Sequence, residues 1–189
     1  MINKLNYLVI LFTSLALSFP VYSQICEPAV TTETLSEENF IIDDANGTVE
    51  DIISQLRWAR CAFGQTWNGK TCEGFPQQLN WQEALTTADE LDYGLINAWR
   101  IPDIKELMSI IDFQCAIPPL NASLFPQAPA SLDNGLWSST PVQTDPIDPL
   151  NPEVKIWFID LGEGKVKKRA WNQTNYVFFV TKGKIDYIP

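Results

Sequence analysis

The sequence predicts an α+β fold: two helices packed on a twisted, mainly antiparallel sheet, tied by two disulfides. Three observations carry this. Two stretches in the first two thirds, Asn80 to Asp92 and Asp103 to Phe113, have apolar residues at helical spacing behind a capping signal. The last third is rich in β-formers broken by Gly and Pro, as in Leu136–Thr140, Val154–Leu161, Lys165–Trp171 and Asn175–Thr181. Helices early and strands late give α+β rather than alternating α/β. Finally, all four cysteines lie beyond a leader-like N-terminus, so an even count reads as a disulfide framework.

The chain begins with Lys4 and a mostly apolar run from Tyr7 to Phe19, closed by Val21-Tyr22-Ser23. That is a signal peptide over 1–23, with a run too short to cross a bilayer, which takes roughly 20 residues. Ile25 stands before Cys26 where a lipoprotein signal places a small residue, so no lipid anchor is expected. The product is therefore exported: periplasmic, cell-surface or secreted, and not inserted in a membrane after cleavage.

A polar arm, 24–39, precedes the single domain, 40–183, and a short tail, 184–189, follows it. Within the domain Phe40 to Asp51 reads as a hairpin about Asn46-Gly47. Leu56 and Trp58 alternate with Arg57 in the next strand. Gly64, Asn68 and Gly69 let the chain between Cys61 and Cys72 turn back, which favours that pair among the three pairings and leaves Cys26 for Cys115. Each bridge is worth ~2–4 kcal/mol, chiefly through the unfolded state.

Asn80 and Glu83 form the capping pattern of the first helix, with Trp81, Ala84, Leu85, Ala88 and Leu91 on its apolar face. Trp99 and Ile101 alternate with Arg100 in a short strand that Pro102 stops. Asp103 and Glu106 then open the second helix. Residues 114–135 read as an ordered irregular loop, and 141–152 as an exposed Pro-rich loop. Tyr176 to Val180 is so continuously apolar that a central strand is expected.

Charge and composition exclude several functions. The formal net charge is −10, and loss of Lys4 with the leader makes it more negative. Nucleic acid, anionic membranes and sulfated polysaccharides all call for a basic surface. There is no histidine, which removes the commonest general base, the Ser–His and Cys–His pairs and histidine metal sites.

The seven tryptophans invite sugar stacking, but Trp58, Trp81, Trp99, Trp137 and Trp157 fall on core faces. Trp67, in the Cys61–Cys72 loop, and Trp171, at a strand end, are the ligand-facing candidates. Asp43, Asp44, Asn46, Glu50 and Asp51 miss the EF-hand spacing and read as a solvated turn. Asp145 and Asp148 in the Pro-rich loop are where a ligand-bound calcium would enter. No metal site or other cofactor is expected.

The order of these signals resembles the C-terminal domain of the Legionella collagen-like protein, a bacterial domain family of mostly unknown function. The matching pieces are Asp44–Asp51, Leu56–Cys61, Gly64–Trp67 with Gly69 and Cys72, Asn80–Leu85, Trp99–Pro102 with Lys105–Leu107, Phe125-Pro126, Trp137–Ser139 and Tyr176-Val177. Together they span about 26–183. The resemblance implies a C-type-lectin-like outline and display outside the cytoplasm; for the named relative it implies adhesion through sulfated glycans and trimer formation. Here no collagen-like repeat precedes the domain, and the acidic balance does not suit a sulfated ligand. The family's Tyr-Val-Arg ending is Tyr176-Val177-Phe178 in this chain.

The expected function is a non-enzymatic binding or adhesion module for a glycan or envelope protein. The alternative is a structural or assembly component of a surface appendage or secreted complex. A periplasmic hydrolase, built on some pair among the 23 acids, comes third.

Overall fold

The computed structural model describes residues 24–27, 35–143 and 154–183. The leader, residues 28–34, the loop segment 144–153 with Asp145 and Asp148, and the tail 184–189 lie outside the described residues. In chain order the elements are β1 Ile25–Cys26, β2 Phe40–Asp43, β3 Thr48–Asp51, β4 Leu56–Ala59, β5 Thr66–Trp67, β6 Cys72–Glu73 and β7 Leu79–Asn80. They continue with α1 Trp81–Glu90, α2 Ile104–Met108, β8 Cys115–Ala116, β9 Gly135–Pro141, β10 Lys155–Asp160, β11 Val166–Ala170, β12 Thr174–Asn175 and β13 Val180–Lys182. This is α+β: two short helices among antiparallel strands, with disulfides Cys26–Cys115 and Cys61–Cys72.

The strands do not form one sheet. They divide into a four-stranded sheet in the order β13-β4-β3-β2, a three-stranded sheet β11-β10-β9, and the two-stranded ladders β1-β8, β12-β7 and β5-β6. The reason lies in Tyr176–Phe179, which sequence reads as a central strand. It bonds in both directions: Tyr176 N donates to the Gly135 carbonyl (2.9 Å), and the Phe179 carbonyl accepts from Ala59 N (3.0 Å). Its contact with β9 is a single bridge, Leu136 to Tyr176. Its side chains alternate between two cores. Phe178 joins Val49, Trp58, Leu107, Phe125 and Ile159. Val177 and Phe179 join Ala84, Trp99, Trp137, Ile156 and Phe158. The unbroken apolar run thus records two buried faces, with no ladder along either.

The hairpin β2–β3 follows its turn chemistry. Asp43 Oδ1 accepts from Asn46 N (3.1 Å) and Oδ2 from Asn46 Nδ2 (2.8 Å); the Asn46 side-chain bond holds the Asp43 carboxyl below its ordinary range. Gly47 follows at φ +65°, where a Cβ would stand 2.4 Å from Trp67 Cγ. Only glycine fits both the left-handed backbone and that contact.

Both helices start on complete capping boxes, Asn80 with Glu83 and Asp103 with Glu106. The second is shorter than the expected 103–113. Ser109 N turns back to the Lys105 and Glu106 carbonyls, and Ser109 Oγ donates to Glu106 O at 2.8 Å. Ile110 and Ile111 then enter the core through turns of the i to i+3 kind, onto Leu107 and Met108 carbonyls (3.3 Å each). The helical spacing of apolar residues was real, but its second half is carried by tight turns. Trp99 and Ile101 are buried around exposed Arg100, whose backbone pairs with Val180 in an isolated bridge rather than a strand.

Tyr93 closes the loop beneath this hairpin. Its hydroxyl donates to the Gly47 carbonyl (2.9 Å) and its ring meets Trp99 edge-on at 5.9 Å. Burial pushes its pKa up to about 12. A raised phenol contributes stability below its unfolded value of about 10 that is lost as pH rises through the folded value. A tyrosinate absorbance titration should therefore show one step delayed to about pH 12 and coincident with loss of near-UV dichroism. In Tyr93→Phe that step disappears.

Candidate functional site

The exposed tryptophan is Trp171, 41% accessible. It sits where β11 ends, and its backbone is pinned on both sides. Trp171 N donates to Val154 O (3.2 Å), and Trp171 O accepts from Trp81 N (3.0 Å), the first residue of α1. Gln173 N closes the turn onto Ala170 O (3.1 Å). β12 then pairs with β7, placing Thr174 opposite Asn80 and Asn175 opposite Leu79. The start of α1 is thereby laid beside the Trp171 turn.

Between them is an open cleft of about 460 Å³, lined by Trp171 and Leu79 with Asn80, Gln82, Glu83, Thr86 and Thr87. Two core indoles hold this edge. Trp137 Nε1 donates to Leu79 O (2.8 Å) and Trp81 Nε1 to Ser138 O (2.9 Å). The capping box uses only part of each polar group. Asn80 Oδ1 accepts from Glu83 N, and Glu83 Oε2 accepts from Asn80 N, both at 2.9 Å. Among the described residues Asn80 Nδ2, Glu83 Oε1 and the Thr87 hydroxyl have no hydrogen-bond partner within the chain. The cleft lining thus combines an indole and an aliphatic side chain with amide, hydroxyl and carboxylate groups. That set can hold a flat, polyhydroxylated molecule by stacking on one face and hydrogen bonding at its edges.

Trp67 lies elsewhere, in β5 against the β2–β3 turn. It is half-buried, its Nε1 donates to Asp44 O (2.7 Å), and the Arg60 guanidinium lies 4.5 Å from its ring centroid. Gly47 is pressed against its other atoms. The structure does not bring Trp67 and Trp171 to one cleft, and the Trp67 ring is already engaged within the fold. Of the five tryptophans assigned to the core, Trp58, Trp99 and Trp137 are buried, while Trp81 and Trp157 are half-buried. Lys168 Nζ lies 4.7 Å over the Trp157 ring.

Arg60 has no counterpart in the sequence reading. It is 5% exposed, with Nε on Leu124 O (2.9 Å), Nη2 on Ser123 O (2.7 Å) and Nη1 on Asp44 Oδ1 (2.5 Å). It staples the irregular loop to the hairpin, and its position beside Cys61 was the only cue. The other acids of 43–51 are likewise engaged. Glu50 takes Arg57 Nη2 at 2.6 Å, and Asp51 caps Ile53 N (2.9 Å) and Ser54 Oγ (2.6 Å). Among the described residues no three Asp, Glu, Cys or His converge as a metal-binding group would require.

The cleft's rim went unread because Asn80, Gln82, Glu83, Thr86 and Thr87 register in sequence only as a helix start. Their meeting with Trp171 depends on the β7–β12 pairing, which no local signal announces.

The two disulfides fit an oxidising compartment, and among the described residues no helix is long and apolar enough to cross a membrane. No curated protein and no solved structure matches the chain. A family model, the Lcl C-terminal domain, matches residues 47–181, from the hairpin turn through β13, and the chain belongs to that family.

Proposed function

We propose that this chain is an exported, non-enzymatic binding module that takes a neutral glycan in the Trp171 cleft at the cell envelope. The observation that carries the reading is a tryptophan, 41% exposed, lining an open cleft together with polar side chains. A pyranose ring presents a flat patch of C–H groups that packs on an indole, while its hydroxyls pair with amide and carboxylate groups around it. The α+β build with two disulfides is in keeping with a C-type-lectin-like outline. Among the described residues Glu83 is the one carboxylate lining the cleft, whereas glycoside hydrolysis ordinarily uses two; binding without turnover is the simpler use of this surface.

The assembly reading has its own observation. Phe75 and Leu95 are 89% and 92% exposed, a poor use of large apolar side chains unless something covers them.

A glycan array probed with the oxidised mature protein and with Trp171→Ala separates the two. The account expects saturable binding to neutral oligosaccharides, lost in the variant. A folded protein that binds no neutral glycan would sink the proposal and turn the search to protein partners at Phe75 and Leu95.

A further inference from the structure

We infer that Glu83 sets the charge selectivity of this cleft, admitting neutral sugars and turning away uronate and sulfated ones. The inference rests on the glycan reading above and adds the ligand class. α1 is a ten-residue helix, Trp81–Glu90, and its first turns line the cleft. A helix N-terminus carries unpaired N–H groups and about half a positive charge, and attracts carboxylate and sulfate. Beside an exposed indole, that end would make a natural subsite for an acidic sugar.

Glu83 reverses the preference. Among the described residues it is the only charged side chain lining the cleft. Its Oε2 takes Asn80 N and its own N–H is taken by Asn80 Oδ1, at 2.9 Å each, so these two main-chain donors are spent on the capping box. Its Oε1 has no partner among the described residues and can accept from a sugar hydroxyl. The Arg169 guanidinium is also engaged elsewhere. Arg169, two residues before Trp171, gives Nη1 to Asn134 Oδ1 (3.1 Å), Thr174 O (3.0 Å) and Asn175 Oδ1 (2.5 Å), and Nη2 to the Asp133 carbonyl. Its guanidinium lies 4.6 Å over Phe158.

Glu83→Gln isolates the charge. Glutamine serves in a capping box as glutamate does, so the helix and cleft persist while the carboxylate goes. The test measures affinities of the oxidised wild type, Glu83→Gln and Trp171→Ala for neutral oligosaccharides and for their sulfated and uronate counterparts of equal length, at low and high salt. Wild type should bind the neutral members and discriminate against the anionic ones. In Glu83→Gln the ratio of anionic to neutral affinity should rise about fivefold or more at low salt, the effect of one unit charge at about 4 Å in a water-like dielectric. Most of that gain should vanish at about 1 M salt, where the Debye length is about 3 Å. An unchanged ratio in a folded Glu83→Gln protein, with neutral binding still lost in Trp171→Ala, would overturn the role of Glu83 and leave the glycan reading standing. Failure of wild type to bind any neutral member would overturn both.

Discussion

Trp171→Ala should cost the protein most of its glycan affinity and much less stability than loss of a fully buried tryptophan. The residue is 41% exposed, so less apolar burial is lost from the folded state than at a core indole. The bonds that shape the turn, Trp171 N to Val154 O and Trp171 O from Trp81 N, are main-chain bonds that alanine keeps. Stacking on an aromatic platform is worth ~1–3 kcal/mol in the well-measured case of nucleobases, so a loss of about ten- to a hundredfold in affinity is expected. Trp171→Phe, with a smaller ring, should fall between. Calorimetric titration with a thermal melt of each variant checks both halves. A melting temperature lowered as far as by Trp137→Ala would mean the side chain is structural; a 1 kcal/mol loss moves a domain of this size by roughly 2–4 °C.

Trp137→Ala should do the reverse: a large loss of stability, with binding failing as a consequence. Trp137 is fully buried, meets Phe158 edge-on at 6.2 Å, and sends Nε1 to the Leu79 carbonyl at 2.8 Å. Truncating a buried tryptophan costs about 3–5 kcal/mol. Trp137→Phe keeps most of the packing but strands the Leu79 carbonyl, which adds ~1–3 kcal/mol where that group is shielded from water. Leu79 lines the cleft, so even the milder variant should loosen it. Urea unfolding gives the stabilities. A Trp137→Ala protein within about 1 kcal/mol of wild type would contradict the picture of one indole joining core and cleft.

The contrast between these tryptophans bears on what the sequence could reveal. Wherever one short segment specifies its own geometry, sequence and structure agree: the Asp43–Asn46–Gly47 turn, the capping boxes at Asn80 and Asp103, the exchange of Trp99 and Ile101 with Arg100. The loop chemistry around Gly64 and Gly69 favoured Cys61–Cys72, and that bond is present with Cys26–Cys115. Disagreement begins where long-range packing decides. Tyr176–Phe179 has the composition of a central strand, yet it serves two cores and carries no ladder. The second helix keeps its apolar spacing past Met108 while its backbone changes to tight turns. One sheet was expected, and the strands instead divide at the 176–179 segment.

The site divides in the same way. Trp171 could be singled out because a strand-end tryptophan has a weak claim on the core. Its partners could not, since Asn80 and Glu83 already had a sufficient explanation as a helix cap. Arg60 shows the converse failure. A charge beside a cysteine gives no hint that it will be buried, and only the carbonyls of Ser123 and Leu124 account for it.

The most direct test follows the seven indole N–H resonances of ¹⁵N-labelled protein during titration with a neutral oligosaccharide. None of the other six lines the cleft, and five of the seven are either hydrogen-bonded to a carbonyl or, like Trp58, buried without a partner. The account predicts a saturable shift of Trp171, smaller changes in the Asn80 and Glu83 amides, and a stationary Trp67. Saturation with Trp171 unmoved, or a response centred on Trp67 and the Leu95 loop, would contradict it.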